Sequence, residues 1–89
     1  MKEFDWDTNK NLMLMEHREI SFDEIVEAIS TGNLLVDVPH HRGGFEHQRI
    51  FIVRVRSYAY VVPYVTQEDG TRFLKTIYPS RRATKKYIV

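Results

Sequence analysis

"ISFDEIVEAISTG", residues 20 to 32, carries the strongest local signal in the sequence and separates two kinds of chain. Ser21 and Glu24 stand at the spacing of a capping box, Ile20 and Ile25 at that of a hydrophobic staple, and Gly32 supplies a C-terminal stop. Between them Phe22, Ile25, Val26 and Ile29 recur at i, i+3, i+4 and i+7, which is one apolar face of an amphipathic helix. After Gly32 the period changes to alternation and the composition turns to Val, Ile, Phe, Tyr and Thr. Helices therefore precede strands.

Working towards the N-terminus, Asp7 is a good N-cap for a short helix over about residues 8 to 17, with Leu12, Met13 and Met15 supplying its apolar side. Towards the C-terminus, "LLVDV" is the first strand candidate, followed by the loop "PHHRGGFEHQ" and then "RIFIVRVR". Alternation in that third segment turns Phe51, Val53 and Val55 one way and Arg54 and Arg56 the other. A tight turn from Arg56 to Ala59 leads into "YAYVVPYV", which carries Tyr58, Tyr60, Val62 and Tyr64 on one side. Pro63 has no N–H for a ladder and marks an edge or a bulge. "QEDGT" makes the next hairpin through its Asp-Gly pair before "RFLKTIY", and Ser80 caps a last helix. The expected fold is α+β, with two N-terminal helices packed on one face of a roughly four-stranded antiparallel sheet and a short C-terminal helix. Residues 1–89 make a single domain, too short for two cores.

The formal net charge is +1, yet residues 1 to 37 hold nine acids against three bases and residues 38 to 89 hold three acids against ten bases. A split of −6 and +7 is an argument about partners and predicts one basic face. Four of those cations, Arg81, Arg82, Lys85 and Lys86, fall within "YPSRRATKKY", residues 78 to 87. No cysteine is present, so disulfides, thiolate metal sites and thiol nucleophiles are excluded. The acidic, aromatic "MKEFDWDTNK" lacks the pattern of a secretory leader and no apolar run approaches a membrane span, so the expectation is a soluble, cytoplasmic protein.

Gly-rich phosphate loops, a serine elbow and an HExxH motif are all missing. Of the histidines, His40, His41 and His47 lie in one loop without acidic or cysteine partners at familiar ligand spacing, so no metal is expected; a histidine there is a candidate for proton transfer near neutral pH. The second face of the meander, the one the helices leave open, is expected to carry Arg54, Arg56, Tyr58, Tyr60 and Tyr64, which together offer cations and π-surfaces suited to RNA phosphates and unstacked bases. These parts fit RNA cleavage by its own 2′-hydroxyl, for which the protein needs only a proton shuttle and cations to stabilise charge on the phosphoryl oxygens.

"FDWDTNKN", then "ISFDEIVEAI", an Arg-led strand and the closing "YPSRRATKKY" resemble, in that order, the BrnT-type toxins of bacterial type II toxin–antitoxin modules. The resemblance covers nearly the whole chain. It implies a RelE-like ribonuclease fold, metal-independent and cofactor-free RNA cleavage that inhibits translation, and neutralisation by a ribbon-helix-helix antitoxin whose complex, rather than this chain alone, binds operator DNA. Carried over by position, Lys10, Arg49 and Arg81 are the residues expected at the scissile phosphate, with Arg54, Arg56, Tyr64, Arg82, Lys85 and Lys86 binding RNA and His40, His41 or His47 assisting proton transfer. Three departures stand out. Thr8 replaces the family's proline, Arg18 and Glu19 replace a histidine and a glycine, and the strand-end arginine has no clear counterpart before Arg72. The competing expectation is a non-catalytic interaction module whose basic face receives an antitoxin or another acidic partner. Direct DNA binding ranks below both, because no reading element is visible and the strong helix is acidic.

Overall fold

The computed structural model describes residues 3–40 and 47–89. The chain runs β1 (Phe4–Trp6), α1 (Thr8–Arg18), α2 (Phe22–Ser30), β2 (Leu34–Pro39), β3 (Arg49–Val55), β4 (Tyr58–Thr66), β5 (Arg72–Leu74), β6 (Tyr78–Pro79) and α3 (Arg81–Tyr87). Among the described residues it is an α+β fold of three helices and one mixed sheet.

Helix α2 forms where its caps dictate. Ser21 Oγ accepts from the Glu24 amide at 3.1 Å and the Glu24 carboxylate accepts from the Ser21 amide at 3.2 Å, so two otherwise orphaned donors are satisfied reciprocally. At the other end Gly32, at φ +89°, lets the Asn33 amide reach Ala28 O and its own amide reach Ile29 O, the Schellman arrangement. The apolar face then buries Phe22, Ile25 and Ala28, with Val26 and Ile29 half-buried beside them. Helix α1 is capped by Asp7, whose carboxylate accepts from Asn9 and Lys10 amides. Its apolar side is not the expected one. Leu14 alone is fully buried, while Leu12, Met13 and Met15 are exposed. Glu19, where the resembled family has glycine, ends α1 in the left-handed conformation at φ 53°.

The meander β2-β3-β4-β5 has the expected order and antiparallel sense, but the sheet is larger than four strands. Strand β1 adds in parallel to β5, and the segment read as one strand, residues 72 to 78, is broken into β5 and β6, which pair successively along the same side of β4. Pro63 explains the break. Its carbonyl accepts from Lys75 N, so its missing N–H points to the side where β5 gives way to β6; the proline therefore sits in a central strand at a gap rather than at the sheet edge. Between β4 and β5, Gly70 (φ +92°) closes the turn by donating to Gln67 O while Asp69 accepts from the Thr71 amide.

Register fixes the two faces. Phe51, Val53 and Val55 lie opposite Val62, Tyr60 and Tyr58, and with Tyr64 and Leu74 they form the face packed under α1 and α2. Ile50, Ile52 and Arg54 lie opposite Pro63, Val61 and Ala59 on the second face, where α3 crosses the start of β4. No helix among the described residues is long and apolar enough to cross a membrane.

Candidate functional site

Helix α3 owes its position to two hydroxyls. Ser80 Oγ accepts from the Ala83 amide at 3.0 Å, starting the helix, and the Ser80 amide donates to Ala59 O at 2.9 Å. Thr84 Oγ1 donates to Ser80 O at 2.8 Å and accepts from the Ala59 amide at 2.9 Å, so a buried hydroxyl rivets the helix to β4. With Ala83 and Thr84 facing inward, the four cations divide into two strips four residues apart. Arg82 and Lys86 line a groove over the sheet, whereas Arg81 and Lys85 are exposed and do not line it.

That open groove of about 920 Å³ has an aliphatic floor of Val38, Ile50, Ile52, Val61 and Pro63. Its rim carries Lys75, Arg82 and Lys86, with His40, Tyr78 and Tyr87. Arg54 is exposed on the same sheet face, one alternation beyond Ile52 towards α3. The rim therefore presents cations and aromatic edges over an apolar base.

The other expected residues lie elsewhere. Arg49 is on the helix-covered face, where its Nε donates to Asp37 Oδ1 at 3.1 Å and its Nη2 to Asp37 O at 3.1 Å. Tyr64 donates its hydroxyl to the same Asp37 oxygen at 2.7 Å, and its ring stacks on Phe51 at 4.0 Å. Burial, with that hydrogen bond adding to it, raises the Tyr64 pKa; the bond to Asp37 likewise raises that of Arg49. This trio clamps β2, β3 and β4 together, and Tyr64 is 2% exposed. Arg56 is not on β3. It occupies the β3–β4 turn at φ 54° and reaches the helix layer, donating to the Glu24 carboxylate and to Glu19 O.

Tyr58 and Tyr60 also face the helix layer, with rings edge-to-face at 6.0 Å. The expected single face of arginines and tyrosines is thus split: Arg54 is on one side of the sheet, the three tyrosines on the other. Alternation correctly grouped the tyrosines but carries no information about which face the helices cover.

Arg49 and Arg81 do not converge. Lys10 is half-buried in the first turn of α1. Arg49 pairs with Tyr64 while α3 is tethered at Ala59, five residues along β4 or roughly 17 Å away. His47 is exposed, His40 lines the groove, and His41 lies outside the described residues. Lys75, Tyr78 and Tyr87 line the groove but were not among the residues singled out from sequence. The available signal was Pro63, which forbids an unbroken neighbour and so turns Lys75 out of a continuous strand. Among the described residues no group of three or more His, Asp or Glu side chains is placed to hold a metal ion. No protein-family model, no curated protein and no solved structure matches the chain.

Proposed function

We propose that this chain is an RNA-directed toxin of the BrnT kind, with a RelE-like arrangement, whose groove on the face opposite α1 and α2 binds RNA and promotes its metal-free cleavage. The observation that carries the reading is the convergence of Lys75, Arg82 and Lys86 with His40 and two tyrosines on one groove. Three cations from two walls suit successive phosphates, and Tyr78 and Tyr87 offer rings for unstacked bases. In the reaction the RNA 2′-hydroxyl loses its proton to His40 and attacks the adjacent phosphorus. The 5′-oxygen leaves with a proton from solvent or from a second group, giving a 2′,3′-cyclic phosphate. Arg82 and Lys86 stabilise the extra negative charge on the phosphoryl oxygens. Arg81 and Lys85 act only as outlying charge, and Arg49 holds the sheet. A ribbon-helix-helix antitoxin is the neutralising partner the resemblance implies.

The aliphatic floor favours a second reading, a non-catalytic module that receives a protein partner, because an RNA-stacking sheet ordinarily presents aromatic rings there. Expression of the chain alone under a tight promoter, with growth and total RNA followed together, separates the two. The enzymatic reading expects arrest with fragmented RNA, lost in Arg82→Ala/Lys86→Ala and retained in Arg81→Ala/Lys85→Ala. Normal growth with intact RNA would leave the interaction module.

A further inference from the structure

The groove wall that carries Lys75 and Tyr78 is held from the far side of the sheet. The register of β5 with β4 stops at Leu74 and that of β6 resumes at Tyr78, so residues 75 to 77 cross between the two strands outside the ladder. Lys75, Thr76 and Tyr78 line the groove, whereas Ile77 is fully buried and packs in the same core cluster as Leu14 of α1. The main chain of this link is fixed at both ends. At its start the Lys75 amide donates to Pro63 O at 2.8 Å. At its end Arg18, the last residue of α1, donates from Nη1 to Ile77 O. A carbonyl on a buried residue needs a donor, and here a charged side chain supplies it in place of a neighbouring strand.

Helix geometry aims Arg18 at this carbonyl. Leu14 is fully buried towards the sheet, and a residue four positions later lies on the same face of a helix, one turn further on. The amides of Glu19 and Ile20 both return to Leu14 O, which fixes the end of α1 from which the Arg18 stem leaves. We propose that Arg18 is a positioning residue of the groove: by tying Ile77 O to α1 it sets the wall that presents Lys75 and Tyr78. Arg18 does not line the groove itself, so it acts on a ligand there only through this link. The consequence for RNA rests on the functional reading proposed above, whereas the hold on the link does not.

Two variants of the full chain test this. Arg18→Met keeps the aliphatic stem and removes the donor, and Arg18→Lys keeps the charge and one donor. Hydrogen exchange reads the link directly: the amides of Lys75 and Tyr78 should exchange faster in Arg18→Met than in the parent, with Arg18→Lys between them, while α2 and β3 keep parental rates. Binding of a single-stranded 2′-O-methyl oligoribonucleotide, which cannot supply the attacking hydroxyl, reads the rim. Lys75→Ala should make the logarithmic salt slope shallower by about 0.7, and Arg18→Met by part of that amount. The Arg18→Met change should vanish in the Lys75→Ala background, as it must if the first residue acts through the second. An effect that persists there undiminished means that the guanidinium acts by its own charge and overturns the proposal. Parental exchange rates at Lys75 and Tyr78 overturn it too, as does exchange that speeds throughout the chain. If the parent fails to bind the oligonucleotide, the RNA reading falls, and faster exchange confined to the link still supports the positioning role.

Discussion

Asp37 is the residue on which the open end of the sheet depends, since a single carboxylate oxygen accepts from both Arg49 and Tyr64. Tyr64→Phe keeps the ring stacked on Phe51 and removes only the hydroxyl, so denaturant unfolding at pH 7 should show a loss of about 1.5–3 kcal/mol, the worth of a hydrogen bond to a charged acceptor. The pH dependence has a definite sign. Burial first, then the bond to Asp37, raise the Tyr64 pKa above its ordinary 10.0, so the folded state holds this proton more tightly than the unfolded chain does. Its contribution is complete below pH 10 and is lost as pH rises through the raised value; the difference in midpoint between Tyr64→Phe and the parent should therefore shrink under alkaline conditions. A variant gap that widened with pH would contradict the assignment. Tyr64 also shows what a single residue conceals in sequence: its place in an alternating strand was legible, but its partner Asp37 is twenty-seven positions away and on another strand.

Among the elements, those specified by neighbours in sequence were legible and those specified across the sheet were not. Helix α2 carries its caps and stop within thirteen residues; the capping box and the Gly32 stop act as read, and Ile20 and Ile25 are both buried in the core. Strand β1 is three residues long and exists because β5 completes its hydrogen bonds, information that lies some sixty-eight positions away in the register of Phe4 with Arg72. The β3–β4 hairpin has a two-residue turn in which Arg56 and Ser57 both take positive φ, 54° and 80°, where glycine or asparagine is usual. Arg56 is held by its bonds to Glu24 and Glu19, but Ser57 is exposed and gains nothing comparable. Ser57→Gly should consequently stabilise the domain, by about 0.5–1 kcal/mol, seen as a rise in thermal midpoint. The opposite behaviour is expected at α3. Thr84→Val leaves the buried Ala59 amide without an acceptor at a cost of about 1–3 kcal/mol, and that cost falls on the attachment of one helix. Hydrogen exchange should speed at the amides of α3 and at Ala59 while β3 stays protected, and, on the proposed RNA reading, RNA affinity should fall because Arg82 and Lys86 lose their placement.

At the scale of the molecule, the charge division along the chain becomes a partial division across the sheet. The acidic half builds the helix layer and the basic half supplies the groove rim, but Arg49, Arg56 and Arg72 of that half turn to the helix side, so the expected basic face gathers only part of the cations. What sequence could not supply is which cations share that face, because it depends on the break at Pro63 and on the rotation of α3 about its Thr84 rivet. Ionic strength reads the number directly. If Lys75, Arg82 and Lys86 each neutralise one phosphate of a single strand, the logarithm of the binding constant should fall against the logarithm of salt with a slope of about −2. Removing any one of the three should make the slope shallower by about 0.7. Lys85→Ala, on the strip that faces solvent, should leave the slope nearly unchanged, although its charge is the same and its position is one residue from Lys86. Equal effects at Lys85 and Lys86 would mean that diffuse positive charge, rather than the groove, holds the RNA.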